Sequence, residues 1–203
     1  MGISERKERE KQEMRDLILR EATRMFIEEG YEKTSIRNIA DRIEYSPATI
    51  YLYFKDKDAI LFAIHEQGFQ ILLGRFEALN KISNPYERLL QMCDAYVQFA
   101  FEHPEYYDLM FIMRAPMKKL GEKEDWDCGF ASYHYLCSTV QECLDGGYIK
   151  KMDVHEAAFF IWTIGHGMVS LAIRERFKMY TEEQFKHLMK ASMATLATFL
   201  KKE

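Results

Sequence analysis

Cysteine, proline, glycine and tryptophan are all scarce in this chain, and it carries no surplus of positive charge. Only four cysteines occur in 203 residues, Cys93, Cys128, Cys137 and Cys143, and no two of them have the close spacing of a zinc knuckle or a dithiol redox motif. They read as buried thiols of a reducing compartment. Four prolines and ten glycines are too few for a collagen-like or low-complexity chain. Lysine plus arginine number 28 against 32 acidic residues, a formal net charge of -4, so the molecule as a whole has no field that draws it to nucleic acid. No apolar run reaches the roughly 18 residues of a membrane span, and the charged start MGISERKEREKQEMR lacks the apolar stretch of a signal peptide. The expected location is the cytoplasm, and function must come from local placement of residues.

What the chain does have is apolar material, 48% of its residues, enough to fill a sizeable core at this length. That material recurs at helical spacing almost throughout, and no stretch alternates as a strand would. Leu17, Ile18, Ala22, Met25 and Phe26 predict a first helix over about residues 12 to 29, ended by Gly30. Thr34 or Ser35 caps a second helix, with Ile36, Ile39, Ala40 and Ile43 on its apolar face. Ser46 caps a third, which opens on Pro47 and runs to Phe54, and Asp56 begins a fourth that runs toward residue 81. Beyond the break at Ser83, Asn84 and Pro85, helices are expected over about 86 to 102, 105 to 114, 127 to 145, 154 to 175 and 182 to 201. The longest loop candidate is RAPMKKLGEKEDWD, residues 114 to 127, and TEEQ at Thr181 to Gln184 has the form of a capping box. The chain is all-α, with about nine helices.

The stretch TSIRNIADRIEYSPATIYLYFKDK, Thr34 to Lys57, packs two short helix patterns around a three-residue gap, the form of a helix-turn-helix. Its second helix is too short to stand alone and must be held by neighbours, a task that falls to Ile36, Ile39, Ile43, Ile50 and Phe54. Were that helix to enter a major groove, Pro47, Ala48 and Thr49 are small enough for close approach to base edges, and tyrosine hydroxyls and lysines suit phosphate oxygens. Residues 1 to 65 hold 12 basic and 13 acidic groups, a net of -1. Any DNA contact therefore rests on a local patch, including Arg6, Lys7, Arg9 and Lys11. A small helical subdomain with solvated lysines has the same outline, so the pattern by itself leaves both readings open.

The run from Phe26 through EEGYEKTSIRNIADRIEYSPATIYLYFKDKDAILFAI resembles the N-terminal DNA-binding domain of the TetR/AcrR family of transcriptional regulators. Phe26, Gly30, Tyr31, Thr34, Ile39, Ala40, Ser46, Tyr51, Tyr53, Phe54, Lys57 and Ile60 carry the likeness over about 50 residues. Glu44 departs from it, standing where many members have glycine in the turn. The resemblance implies base reading by Arg37, Pro47, Ala48, Thr49, Tyr51 and Leu52, and backbone contact by Thr34, Tyr53, Lys55 and Lys57. It further implies a three-helix reading domain at residues 1–58, followed at 59–203 by a helical effector-binding and dimerisation domain.

In the second part, AAFFIWTIGHGMVSLAI, residues 157 to 173, is nearly continuous in apolar side chains and must be covered on most of its circumference. The last helix carries a wide apolar stripe. Two such helices from two copies can form a four-helix bundle, and the family resemblance implies a homodimer built this way. The dimer candidates are Trp162, Gly165, His166, Phe185, Leu188, Met189, Met193 and Leu196, although His166 on its own reads as a packed, hydrogen-bonded histidine. The family also encloses an inducer in this half. Tyr96, Phe99, Met110, Met113, Trp126, Phe130, His134 and Trp162 are the wall candidates, and their adaptable and aromatic side chains fit an apolar small-molecule effector. Each has an ordinary core reading as well. The histidines lack metal-ligand spacing, and no nucleophile-base pair or phosphate-cradling glycine run is present. The expectation is a non-enzymatic regulator of a palindromic DNA operator, without cofactor or metal. A helical protein-interaction module is the alternative.

Overall fold

A computed structural model describes residues 2–113 and 127–202. The described residues form nine α-helices and no strand: α1 Ile3–Glu28, α2 Ile36–Arg42, α3 Pro47–Tyr51, α4 Lys57–Glu77, α5 Pro85–Glu102, α6 Pro104–Tyr107, α7 Asp127–Asp145, α8 Val154–Ile173 and α9 Glu182–Leu200. α6 runs on into a π-helical turn, Asp108–Ile112. By packing, the chain divides into two compact units. The first holds Met1–Gly68 and the described part of Glu105–Trp126, and the second holds Phe69–Pro104 and Asp127–Glu203.

α1 begins nine residues earlier than the apolar pattern predicts. Its first turns, Ser4 to Glu13, have no buried face, so apolar spacing gives no sign of them. The i,i+4 pairs Arg6–Glu10 (3.3 Å) and Arg9–Glu13 (3.5 Å) support the helix there instead, each by a few tenths of a kcal/mol, about 0.3. α3, at five residues, is shorter than predicted. Ser46 caps it, accepting from the Thr49 amide at 3.2 Å, and Ser35 caps α2, accepting from the Asn38 amide at 3.1 Å. These caps matter because neither helix is long enough to persist unaided.

The core of the first unit is built from Ile18, Ala22, Phe26, Ile39, Ile50, Phe54, Ile60 and Ile64, joined by Leu109 of the π turn. Gly68 of α4 makes this packing possible, since a Cβ there would lie 2.3 Å from the sulfur of Met110 and 3.1 Å from the Tyr106 ring. Tyr106 also donates to Gln67 at 3.1 Å. His65 is buried in this unit, and burial lowers its pKa to about 4, against the smaller opposing influence of the Leu109 backbone. It is a neutral imidazole in the native protein at neutral pH.

In the second unit, Leu89, Val140, Ala157, Ala158, Ile161, Leu196 and Leu200 form the core. Arg88 is buried there and satisfied by the Ile82 carbonyl at 3.0 Å and by Glu142. A short clasp ties the α7–α8 connection to the chain end: Lys150 N donates to the Leu200 carbonyl (2.8 Å) and Lys202 N to that of Tyr148 (3.2 Å). α8 has a mean hydropathy of 1.4 and the length to cross a membrane. Length and composition alone also suit a helix buried against other protein, and α8 leaves Phe159, Phe160 and Leu171 exposed.

Candidate functional site

The helix-turn-helix owes its shape to a frame of inward-turned polar groups. Tyr31 stands against Phe26 at 5.1 Å between ring centroids, and its hydroxyl donates to Asp58. Burial, with help from the charges of Glu32 and Asp56, pushes its pKa up to about 12, so the hydroxyl stays a donor. Lys57 lies over the Tyr31 ring at 4.1 Å and donates to the carbonyls of Tyr31 (2.6 Å) and Thr34 (2.9 Å). Thr34 is buried, and its hydroxyl donates to the Gly30 carbonyl at 3.0 Å. Asp56 caps α4 by accepting from the Ala59 amide at 2.7 Å. Thr34 and Lys57 thus lock the entry of α2 to the start of α4, whatever else they touch.

The remaining predicted contact residues face outward. Leu52 is 80% exposed and Tyr51 56% exposed, whereas Ile50 between α3 and the core is fully buried. Burying Ile50 and Phe54 leaves Ala48, Tyr51 and Leu52 on the solvent side of a single short helix. Arg37 and Lys55 are exposed, with Pro47, Thr49 and Tyr53 half-buried. Thr49 is held close to its cap, its hydroxyl 3.0 Å from that of Ser46. Arg42 is exposed as well but is engaged on the surface by Glu29 at 2.9 Å and Glu28 at 3.9 Å. Glu44 stands in the left-handed region at φ 61°, the conformation that explains why a glycine suits this turn.

In the second unit the structure brings some effector candidates together and separates others. Tyr96 and His166 are joined by a hydrogen bond of 3.1 Å. Trp162 stands beside His166 at 6.0 Å and beside Tyr133 at 6.2 Å between ring centroids. Tyr133, absent from the sequence-based candidates, completes this cluster from α7, and no local spacing marks a contact between two helices. Burial holds the His166 pKa below the ordinary histidine value. Phe99 is fully buried, with Arg75 5.9 Å above its ring. Phe130 and His134 stack on each other at 6.2 Å on the outside of α7. Met110 and Met113 belong to the packing of the first unit, and Trp126 lies outside the described residues.

The dimer candidates also divide. Leu196 is buried in its own unit and Met193 is packed against that core. Gly165 lies near Tyr96, 3.8 Å from where a Cβ would stand. Phe185 packs on Phe177 at 4.2 Å, Met189 is half-buried and Leu188 is exposed. The most exposed apolar groups of α8 and α9 are Phe159 at 58% and Phe199 at 56%, with Phe160 and Leu171; Phe199 belongs to the apolar stripe read from the last helix, and none of the four is among the dimer candidates.

Residues 18–64 match the profile of bacterial regulatory proteins of the tetR family, and residues 89–196 match that of the tetracyclin repressor-like C-terminal domain. The chain is 25% identical over 181 residues to the HTH-type transcriptional regulator HbdR of Aromatoleum sp. (strain CIB), covering 85% of this chain and 77% of that one. Among solved structures, it superposes on the fatty acid degradation regulator FadR from Bacillus halodurans with a TM-score of 0.74, at 18% identity over 90% of this chain and 94% of that one. The ketosteroid transcriptional regulator KstR2 of Mycobacterium tuberculosis gives 0.71, at 18% identity over 94% and 96%.

Proposed function

The chain belongs to the TetR family of bacterial regulatory proteins and is a DNA-binding transcriptional regulator, and from that premise we propose that it is a repressor released from a palindromic operator by a small, largely apolar effector. Its relatives are transcriptional regulators, which are not enzymes. The observation that carries the DNA reading is the outward presentation of Ala48, Tyr51 and Leu52 by a helix whose other side is locked into the core. α3 enters a major groove, where Arg37, Pro47, Ala48, Thr49, Tyr51 and Leu52 read bases. Tyr53 and Lys55 contact the backbone, and Thr34 and Lys57 contribute chiefly by holding the frame.

Residues 1–58 carry DNA reading, and 59–203 carry effector binding and dimerisation. The exposed Phe159, Phe160, Leu188 and Phe199 of α8 and α9 are the apolar faces through which two copies of the chain join, which places two reading heads on one operator about one helical turn apart. The effector site centres on Tyr96, Trp162, Tyr133 and Phe99, with the Tyr96–His166 pair as its polar point. A mainly aromatic surround with one hydrogen-bonding pair suits an apolar molecule bearing one oxygen function. Two structures of the same fold are described as regulators of fatty acid degradation and of ketosteroids, in keeping with an apolar effector. The protein acts in the cytoplasm, where the operator is.

A duplex with both half-sites, titrated against one with a single half-site, tests the pairing: one dimer should occupy the full site, and equal affinity for the two duplexes would reject it. A reporter gene behind the operator tests the sign. Silence with the chain present and expression on adding the effector is the expected result, and expression only in the presence of the chain makes it an activator.

A further inference from the structure

Tyr45 sits in the turn between α2 and α3, immediately before the cap Ser46. Its side chain is 45% exposed and takes no part in the core. Its backbone is fixed, the amide donating to the Ala40 carbonyl at 3.0 Å, and Glu44 before it is turned into the left-handed region. Several tyrosines elsewhere in the molecule have their hydroxyls engaged, among them Tyr86 with the Ala197 carbonyl and Tyr106 with Gln67. The Tyr45 hydroxyl makes no such bond among the described residues. It is an exposed, positioned phenol with an open donor.

The charges around it say what that donor can serve. Of the cations near α2 and α3, Arg42 is paired with Glu28 and Glu29, and Lys57 is bound to backbone carbonyls. Arg37 and Lys55 are exposed and make no ion pair among the described residues. Beside these two and the exposed Lys33, uncharged donors also suit the DNA backbone. The N-terminal end of a reading helix meets base edges, so the residue before its cap lies at the rim of the groove, where the phosphates run. Glu44 at the same turn would repel those phosphates, and a neutral hydroxyl beside it is attractive to them.

We propose that the Tyr45 hydroxyl donates a hydrogen bond to a phosphate oxygen at the edge of the major groove, once in each half of the operator. The proposal rests on the reading of this chain as an operator-binding dimer. A hydroxyl contact releases no condensed counterion, so it raises affinity without steepening the dependence on salt.

The test is fluorescence anisotropy with the full chain and a labelled duplex enriched from a random pool, at several salt concentrations. Tyr45→Phe keeps the ring and removes the donor, and an unchanged thermal midpoint shows that the fold is intact. Loss of two contacts per dimer should weaken binding about tenfold, with the same base preference and the same slope of log K against log salt. Lys55→Ala, the charged comparison, should reduce that slope by about 2, one phosphate per half-site. Wild-type affinity in Tyr45→Phe overturns the proposal and leaves operator binding standing. A changed base preference in Tyr45→Phe overturns the phosphate assignment in favour of a base contact. If the unaltered chain binds no duplex, the reading beneath the proposal fails with it.

Discussion

The surface around α3 and the surface along α8 and α9 both expose large apolar side chains, but they are built for different neighbours. Around α3 the exposed groups are Tyr45, Tyr51 and Leu52, interleaved with Arg37 and Lys55. Along α8 and α9 they are Phe159, Phe160, Leu171, Leu188 and Phe199, with no hydroxyl among them. Phenols beside cations suit a partner that is polar and charged yet offers flat bases and thymine methyls. Phenylalanines and leucines suit burial against their own kind, at about 25 cal/mol per Å² removed from water. Exposure alone therefore does not name a partner. The polar atoms distributed through the exposed patch do.

The largest expected effect comes from breaking the second surface. Phe159→Glu would carry an unpaired charge into the proposed apolar interface twice, and the expected outcome is a folded monomer in sedimentation whose operator affinity is at least about a hundredfold lower. A dimer that persists would show that α8 and α9 face something other than a second copy.

The frame beneath the first surface can be challenged by pH. An ordinary histidine titrates near 6.5, while His65 in the native state is lowered to about 4 by burial. Between those values the unfolded chain binds more protons, so stability is complete above about pH 6.5 and falls as pH drops toward 4. The loss is about 3 kcal/mol over that window. Urea unfolding at pH 7 and pH 4.5 reads it, and His65→Gln should flatten that part of the profile.

A smaller effect sharpens what α3 reads. Ala48→Gln places an amide at the groove side of the helix. It should move the preferred base at one position in each half-site, by about 1–3 kcal/mol of discrimination, with little change elsewhere. A uniform loss at all sequences would assign Ala48 to backbone packing. The smallest effect is at the turn: Glu44→Gly relieves the left-handed conformation at φ 61° and should raise stability by about 0.5 kcal/mol in chemical denaturation.

Much of this was legible before the structure. Ser46, Asp56 and the Thr181–Gln184 box announce themselves because a cap is a local event, a side-chain oxygen meeting an amide two or three residues on. The buried set Ile36, Ile39, Ile43, Ile50 and Phe54 follows from helical spacing. The direction of a long polar side chain does not. Lys57 turns inward to the carbonyls of Tyr31 and Thr34, which sequence spacing does not bring near, and Thr34 turns back to the Gly30 carbonyl, so neither is free in the way a surface contact residue would be. The first turns of α1 lack an apolar face and were missed for that reason, although the spacing of Arg6 with Glu10 and Arg9 with Glu13 held the information. The π turn at Asp108–Ile112 and its seat against Gly68 depend on packing within the folded first unit, and no local pattern marks them. In the second unit, apolar helices on every side leave sequence unable to separate buried from exposed positions, and Leu196, buried, and Phe199, exposed, stand on one helix.

The central claim, that α3 reads a specific operator, is tested most directly by selecting from a random duplex library with the full chain. The account predicts enrichment of a nearly palindromic site whose half-sites lie about one helical turn apart. A folded dimer, free of bound effector, that enriches no sequence would contradict it and point to a helical module that binds protein instead.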